Sequence, residues 1–363
     1  MLVRSGTTAT PSLAERIQFR ATKAIGHLSP RTLRRLAGPP ITIDGDTLDP
    51  GLQLILKLRE RRGVRPLNTM SPEQARRYVA AESRRTAGPP PPVRAVRHLH
   101  VAGAAGPLEA RHYVPPDPGG PHPLMLFLHG GGFVVGDLDT HDVPCRLLCR
   151  HAGVHVLSVK YRKAPEHPFP AAVHDARAAL TWAFEHAQEL EGDPERIAIG
   201  GDSAGGNLSA VATRLAVRDG TPAPVLQVLI YPATDIESEW PSVELFADGF
   251  YLTRDDRDWY HENYMRGASE DDPLGSPLLS GDLEDLPPAF VVTAAFDPLR
   301  DEGEAYANAL REAGSPVILR RFPGLVHGFI NMTAINPASH DALVEVAGGV
   351  RALLARAKER DTT

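Results

Sequence analysis

Short apolar runs alternate with longer segments of helical periodicity from about residue 95 to the end of the chain. Apolar runs bounded by turn residues predict strands, and apolar positions three and four residues apart predict helices. The predicted helices cover about residues 140–152, 171–190, 204–219, 301–314 and 338–358. The predicted strands are VRHLHVA, LEARHYVPP, PLMLFLH, VHVLSVKY, RIAIGGD, VLQVLIYP, AFVVTAA and PVILRRFPG. This alternation predicts an α/β fold, in which helices cover both faces of a mostly parallel sheet.

The first 90 residues carry helical periodicity only. Residues 12–37 place apolar side chains at helical spacing among basic residues, which predicts one or two helices that lie on the protein with a solvated basic face. GLQLILKLRERRG and SPEQARRYVAAESRR predict two more helices. Four consecutive prolines in TAGPPPPVRA favour an extended spacer, so a boundary is expected near residues 86–94.

The segment from about Glu237 to Pro288 interrupts the alternation of strands and helices. A connection of this length within a compact domain is seldom structureless. We therefore expect a helical segment that packs over the edge of the sheet together with the N-terminal helices.

Composition and charge narrow the class of protein. The 363 residues carry a formal net charge of -6, which argues against a nucleic-acid partner. No stretch approaches the roughly 18 apolar residues of a membrane span, and the N-terminus lacks the apolar run of a signal peptide. A cytoplasmic location without membrane contact is therefore expected.

Cys145 and Cys149 have no matching pair elsewhere, so we interpret them as reduced residues of the core rather than metal ligands.

The segment IAIGGDSAGGN places Ser203 directly between a predicted strand and a predicted helix. A strand that turns sharply into a helix strains its apical residue and crowds the neighbours two positions away. Glycines at 201 and 205 relieve this crowding and leave the hydroxyl of Ser203 projecting from the turn. The G-x-S-x-G pattern in this context predicts that Ser203 is a nucleophile rather than part of an incidental glycine-rich turn.

A serine hydroxyl is a weak nucleophile near neutral pH and needs a base that is held by a third group. In chains with this turn, the acid and then the histidine follow the serine, each after a strand. Asp297 follows the apolar strand AFVVTAA, and His327 lies in the loop after the last strand. The rival acids Asp301 and Glu302 lie at the start of the next helix, where acidic residues favour the helix dipole. Asp297 and His327 are therefore the predicted partners of the serine.

Three consecutive glycines, Gly130 to Gly132, end the predicted strand PLMLFLH. When a hydroxyl attacks an acyl carbonyl, negative charge develops on the oxygen, and fixed N–H donors stabilise that charge. Bare glycine amides can approach such an oxygen, and the amide of Ala204, the residue after the nucleophile, adds a further donor. A phosphate cradle is the alternative, but HGGGF matches neither the Walker nor the dinucleotide-binding pattern. The triple glycine therefore predicts an oxyanion hole.

Five segments resemble, in this order, the bacterial hormone-sensitive-lipase-like carboxylesterases, in the GDSAG subgroup of family IV of the α/β-hydrolase superfamily. They are HGGGF, YRKAPEHPFPAA, GDSAGGN, DPLRDEGEAYA and GLVHGF, and the resemblance covers about residues 95–335. One position departs from the family pattern, because Lys163 stands where leucine is usual. This departure bears on local packing or surface charge rather than on activity.

The resemblance implies roles for individual residues of this chain. Ser203, Asp297 and His327 would be the catalytic triad. The oxyanion-hole donors would be the amides of Gly131, Gly132 and Ala204. Residues expected to support the site are His129, Gly130, Glu166 and Asp202.

The resemblance also implies an α/β-hydrolase fold with a helical cap over the acyl pocket. The cap would comprise residues 1–90, which include the linker, and the insertion 237–288. The hydrolase core would comprise residues 91–236 and 289–363. Aromatic candidates for the pocket walls are Phe133 and Phe329, and further Phe250, Tyr251, Trp259 and Tyr260.

The expected reaction is two-step hydrolysis of a small-molecule ester with a short or medium acyl chain, through an acyl-enzyme and without a metal or organic cofactor. Because the base must be neutral, activity should fall as the pH drops through the pKa of a histidine, about 6.5 when unperturbed. The alternatives are an amidase or peptidase with the same triad, a noncatalytic binding protein of the hydrolase fold, and, more weakly, a membrane-associated lipase. Retention of all three triad residues weighs against the binding protein. The resemblance also allows a homodimer.

Overall fold

An eight-stranded sheet forms the centre of the computed structural model, which describes residue 26 and residues 28–117 and 119–360. Its strands are β3 (Ala95–Gly103), β4 (Gly106–Val114), β5 (His122–Leu128), β6 (His155–Val159), β7 (Gly192–Asp202), β8 (Leu226–Ile230), β9 (Ala289–Phe296) and β10 (Val317–Val326). They follow a separate pair of two-residue strands, β1 (Thr42–Ile43) and β2 (Asp46–Thr47). All eight predicted strands are present.

The order of strands across the sheet is β10-β9-β8-β7-β5-β6-β4-β3. Neighbours from β10 to β6 are parallel, whereas β4 runs antiparallel to both β6 and β3. The prediction of a mostly parallel sheet is therefore confirmed. Because parallel strands end at the same edge of a sheet, the segments that follow β5, β7, β9 and β10 meet at one edge, where ligands of open α/β sheets bind.

Helices cover both faces of the sheet, and the strand β5, buried from Pro123 to Leu128, shows why. Met125 and Phe127 join one hydrophobic cluster, while Leu124 and Leu126 join another, as alternation along a strand requires. The first cluster includes residues of α4 (Asp142–Ala152) and α10 (Pro337–Arg360), and the second includes residues of α5 (Ala171–His186) and α6 (Ala204–Arg218). A smaller cluster packs α9 (Arg300–Glu312) against β8 and β9.

The two cysteines lie within this core. Cys145 and Cys149 are free thiols on α4 and are fully buried. Burial raises the pKa of Cys149 to about 12 and that of Cys145 further still, so both thiols stay protonated. Their predicted role as reduced core residues agrees with these positions.

The connection between the second and third N-terminal helices contacts the 237–288 segment. The N-terminal helices are α1 (Pro30–Ala37), α2 (Pro50–Arg61) and α3 (Pro72–Thr86), and the 237–288 segment carries α7 (Pro241–Leu245) and α8 (Arg254–Met265). The amide of Leu67 donates to Oδ1 of Asp256 at 3.1 Å, and Nδ2 of Asn68 donates to Oδ2 of Asp255 at 3.2 Å. The part of the predicted 12–37 helix before residue 26 lies outside the described residues.

None of the helices in the described part of the chain combines the length and apolar character needed to cross a bilayer.

Candidate active site

Ser203 forms a strained turn between β7 and α6. Its φ and ψ angles are 55° and -119°, a region that nonglycine residues seldom adopt. A Cβ atom on Gly201 or on Gly205 would overlap the backbone oxygen of Leu128, so both positions must be glycine. The local sequence thus produces the predicted sharp turn, with Ser203 at its apex.

His327 joins Ser203 to Asp297. Its Nε2 lies 3.0 Å from Oγ of Ser203, and its Nδ1 lies 2.8 Å from Oδ2 of Asp297. The second carboxylate oxygen of Asp297 accepts the amide of Leu299 at 2.8 Å. Because a carboxylate can only accept, Nδ1 of His327 carries the donated hydrogen, and the lone pair of Nε2 faces the serine hydroxyl. The structure therefore brings the three predicted residues together in a hydrogen-bonded chain.

The rival acids bond elsewhere. Asp301 accepts hydrogen bonds from Nε of Arg300 at 2.7 Å and from the amide of Ser242 at 2.9 Å. Glu302 is buried, and its Oε1 accepts the amides of Thr234 at 2.7 Å and of Asp235 at 3.3 Å. Asp297 is thus the carboxylate that orients His327.

The residues Gly130–Gly136, here called the glycine loop, lie beside Ser203. Gly131 and Gly132 have φ angles of 124° and 54°, which glycine adopts without steric cost. Within the described residues, the amides of Gly131 and Gly132 form no hydrogen bond. Ala204 is the first residue of α6, so its amide has no partner within the helix. Three N–H groups are therefore available to an oxygen bound next to Ser203.

The amide of Gly130 is not available, contrary to what the triple glycine suggests. It donates to Oδ1 of Asp202 at 2.8 Å. The same carboxylate oxygen lies 3.1 Å from Nε2 of His141. Burial alone would raise the pKa of Asp202, but the charge and hydrogen bond of His141 and the amide of Gly130 outweigh this effect and lower it. Asp202 therefore stays ionised and holds the start of the glycine loop against the serine turn.

His141 is a residue that sequence reasoning missed. It lies directly before α4 and lines the same cavity as Ser203. Its place in the chain carries no motif, and only the spatial approach of its ring to Asp202 reveals its role.

His129 and Lys163 contact the glycine loop but do not line the cavity. His129 is fully buried, stacks on Tyr161 with ring centroids 4.3 Å apart, and donates from Nδ1 to the oxygen of Gly130 at 2.9 Å. Burial, reinforced by the charge of Lys163, lowers the pKa of His129 to about 3, so the ring is neutral. Nζ of Lys163 donates to the oxygen of Gly136, and burial lowers the pKa of this lysine to about 8. Both residues support the loop without facing Ser203.

Glu166 lies outside the cavity and forms an ion pair with Arg76 of α3. Its two carboxylate oxygens lie 2.8 Å from Nη1 and 2.6 Å from Nη2 of the arginine. These hydrogen bonds lower the pKa of Glu166 to about 2. The contribution of Glu166 to the site therefore runs through Arg76.

A cavity of about 950 Å³ opens beside Ser203 and His327. Its walls come from the glycine loop, from α2 and α3, and from residues 248–253, 256, 257, 260 and 261. Tyr260 lies so close to Gly132 that a Cβ atom there would overlap its ring, and Tyr251 lies over Gly328, the residue after His327. Of the predicted aromatic walls, those that line the cavity are Phe133, Phe250, Tyr251 and Tyr260.

Two predicted walls are wrong. Phe329 is fully buried in the core, where its ring packs against Tyr231 and Phe322 at centroid distances of 5.2 and 5.5 Å. The short 3₁₀ helix Phe329–Asn331 that follows Gly328 directs this ring inward, while Asn331 lines the cavity. Trp259 packs in the core and does not line the cavity, to which α8 contributes residues 256, 257, 260 and 261 instead.

In the part of the chain that the structure describes, no three His, Cys, Asp or Glu side chains form a group that could hold a metal ion.

Known proteins share this architecture. The family described as α/β hydrolase fold matches residues 125–331. The carboxylic ester hydrolase LipN of Mycobacterium tuberculosis is 50% identical over 329 residues, which cover 88% of this chain and 87% of LipN. An ethyl acetate hydrolase of Pseudomonas putida is 39% identical over 81% of this chain and 94% of its own.

A solved structure adds to these matches. An α/β hydrolase enzyme from the metagenome of Lake Arreo, Spain, superposes with a TM-score of 0.81 at 40% identity, over 84% of this chain and 98% of its own. The family match and the two relatives agree with this fold. The chain therefore belongs to the α/β-hydrolase fold family, among its hormone-sensitive-lipase-like members, and is a carboxylic ester hydrolase.

Proposed function

We propose that Ser203, His327 and Asp297 carry out the hydrolysis and that the amides of Gly131, Gly132 and Ala204 bind the oxyanion. The observation that carries this proposal is the distance of 3.0 Å between Nε2 of His327 and Oγ of Ser203, at a cavity onto which the glycine loop opens. These donors belong to backbone that is already folded, so they need no reorganisation when charge develops.

The first half-reaction transfers the acyl group to the enzyme. Oγ of Ser203 attacks the ester carbonyl while Nε2 of His327 takes the hydroxyl proton. Negative charge moves to the carbonyl oxygen, where the three amides stabilise it, and Asp297 stabilises the imidazolium. Collapse of the tetrahedral intermediate breaks the bond to the alcohol oxygen, which receives the proton from His327. An acyl-enzyme and a free alcohol result.

The second half-reaction repeats these steps with water. His327 removes a proton from a water molecule, whose oxygen attacks the acyl carbon. The new tetrahedral intermediate uses the same three amides, and its collapse returns the proton to Oγ of Ser203. The carboxylic acid leaves and the resting enzyme is restored.

The substrates would be esters of short or medium acyl chains. Tyr260 and Tyr251 lie directly against the backbone on either side of the catalytic residues and limit the room next to the scissile bond. The N-terminal helices and the 237–288 segment would form the cap of the pocket, which supports small soluble esters over an emulsion. A series of p-nitrophenyl esters from acetate to palmitate tests this preference, and a maximum at palmitate would contradict it.

The catalytic assignment is tested by treating the wild type and Ser203→Ala with a serine-reactive phosphonate, followed by mass spectrometry of the labelled peptide. The wild type should gain one phosphonyl group at Ser203, and Ser203→Ala should gain none. Turnover of p-nitrophenyl butyrate should fall at least about a thousandfold in Ser203→Ala. Ser238→Ala, outside the cavity, is the control. Labelling at another residue, or retained turnover in Ser203→Ala, would overturn the assignment.

Pairing of two chains and a cytoplasmic location stay predictions. The outer strand β10 presents Ile318, which is 46% exposed, at the open edge of the sheet, and this supports a homodimer. Light scattering after gel filtration tests the pairing, and fractionation of the source cells tests the location.

A further inference from the structure

The glycine loop is held from behind by hydrogen bonds to its carbonyl oxygens. His129 donates to the oxygen of Gly130, and the amides of Val134 and Val135 donate to that of Gly131. The next bonds come from other segments: the amide of Ala164 reaches the oxygen of Phe133, and Lys163 reaches that of Gly136. While these carbonyl groups of the loop are bound, the amides of Gly131 and Gly132 form no hydrogen bond within the described residues, and both glycines line the same cavity as Ser203.

Arg76 donates a further hydrogen bond to a carbonyl oxygen of the loop. Unlike the donors above, it belongs to an N-terminal helix, α3. Its Nε donates to the oxygen of Val134 at 2.8 Å, and its Nη2 donates to the oxygen of Ala164 at 2.7 Å. The same guanidinium binds both oxygens of Glu166. One planar group thus joins α3, the glycine loop and the segment after β6.

We propose that Arg76 is a positioning residue for ester hydrolysis, because its guanidinium keeps the glycine loop in the conformation that presents the amides of Gly131 and Gly132. This inference rests on the oxyanion role proposed above for those two amides. It also makes the oxyanion hole dependent on the docking of α3, an element that lies outside the hydrolase core in sequence.

The contacts to the carbonyl groups matter more than the ion pair. The carboxylate of Glu166 is 56% exposed, and an ion pair of such exposure contributes little. The bonds to Val134 and Ala164 are partly buried and fix backbone directly. A lysine at position 76 could donate to one of these oxygens but could not reproduce the planar arrangement that reaches both.

Arg77 provides a matched control. It neighbours Arg76 on α3, but its side chain is exposed and its ion pair is formed with Glu73 of the same helix. Arg77→Ala therefore removes a guanidinium from the same helix without changing the glycine loop.

The test compares the wild type with Arg76→Ala, Arg76→Lys and Arg77→Ala. Titration with the serine-reactive phosphonate counts the active sites, and kcat and KM for p-nitrophenyl butyrate are expressed per titrated site. Arg76→Ala should lower kcat about 10- to 100-fold, the scale expected when catalytic groups are misplaced by about 1 Å. KM should change by less than about threefold, since the change acts on the transition state. Arg76→Lys should be intermediate, and Arg77→Ala should match the wild type.

A second readout separates positioning from loss of folded protein. A trifluoromethyl ketone forms a tetrahedral oxyanion on the serine and should bind Arg76→Ala more weakly by the same factor by which kcat falls. Loss of folded protein would lower only the number of titrated sites.

Wild-type kcat per site in Arg76→Ala, or undiminished binding of the trifluoromethyl ketone, would overturn the proposal. If Arg76→Ala does not fold, the comparison rests on Arg76→Lys, whose kcat per site must then lie below that of the wild type. Failure of the proposed catalytic residues is a different result, because the wild type itself would then not be labelled at Ser203.

Discussion

The carboxylate of Asp202 binds the amide of Gly130 at 2.8 Å, although the two residues lie 72 positions apart in the chain. Asp202 directly precedes the nucleophile of the proposed triad, and Gly130 opens the glycine loop. This hydrogen bond therefore ties the residue before the attacking serine directly to the loop whose amides would receive the developing charge.

Asp202→Asn should lower kcat about tenfold, because it removes a charged acceptor whose hydrogen bonds are worth about 1.5–3 kcal/mol. The asparagine oxygen can still accept the amide of Gly130, but the charge that pairs with His141 is lost. Steady-state kinetics per titrated active site measure the effect. Asp219→Asn, which changes an exposed aspartate paired with Arg218, should leave kcat unchanged. Equal kcat in Asp202→Asn and the wild type would show that the charge has no part in holding the loop.

Tyr260→Ala should shift substrate preference toward longer acyl chains. The ring of Tyr260 fills the space above Gly132, so its removal opens room beside the scissile carbonyl. The ratio of kcat/KM for the octanoate to that for the acetate p-nitrophenyl ester should rise at least about tenfold, the scale of one or two methylene groups in an apolar pocket. Glu262→Ala, on the exposed face of the same helix, is the control. An unchanged ratio would mean that Tyr260 does not border the acyl chain.

Acid should destabilise the fold through two buried histidines. Nε2 of His112 lies 2.8 Å from Nδ1 of His155, and both rings are buried. Burial and then the charge of His155 lower the pKa of His112 to about 3, and burial and then the charge of His122 lower that of His155 to about 4. The unfolded chain titrates near pH 6.5, so it binds more protons than the folded state between that pH and about 4. Stability should therefore fall as the pH decreases through this window, by about 1.4 kcal/mol per pH unit for each histidine.

His112→Gln should reduce the dependence of stability on pH by about 1.4 kcal/mol per pH unit, the contribution of one histidine. The free energy of unfolding, measured with urea at pH 7, 6 and 5, gives the slope for each variant. His100→Gln, which replaces an exposed histidine on β3, should keep the slope of the wild type. A wild-type slope in His112→Gln would assign the acid sensitivity to other groups.

Glu302 should lower the stability of the fold as the pH rises, which is the opposite of the effect of His112 and His155. Burial raises its pKa to about 8, although the charge of Arg257 and the amide of Thr234 lower it in part. The folded state then retains a proton that the unfolded state loses above about pH 4.5, so this group costs stability as the pH rises toward 8. Glu302→Gln cannot ionise and keeps an oxygen for the amide of Thr234. The free energy of unfolding of Glu302→Gln should therefore rise relative to that of the wild type between pH 5 and pH 8.

The control for this comparison is Glu312→Gln, at the exposed end of the same helix. Urea unfolding of all three proteins at pH 5, 6.5 and 8 provides the measurement. A difference between Glu302→Gln and the wild type that stays constant with pH would show that Glu302 is ionised in the folded protein throughout this range.

The predictions from sequence succeeded where the information is local. Each strand has its own apolar run, and the turn at Ser203 is enforced by glycines two positions away on either side. Asp297 and His327 could be selected as candidate partners of Ser203 because each follows a strand, and parallel strands end at the same edge of a sheet. The predictions failed for Phe329 and Trp259, whose residue type suits both a pocket wall and a core. The direction of each ring depends on the turn or helix face that carries it.

The amino-acid sequence by itself determined the α/β alternation and the strained serine turn, because these follow from periodicity and from steric limits on neighbouring residues. It also supplied Asp297 and His327 as candidate partners of Ser203, in the order typical of this fold. The tertiary structure decided which amides of the glycine loop stay unpaired and which side chains hold the loop in place. The bonds of Asp202 to Gly130 and of Arg76 to Val134 join segments far apart in the chain. No local preference encodes such bonds, since they exist only after the sheet, the glycine loop and the N-terminal helices have packed together.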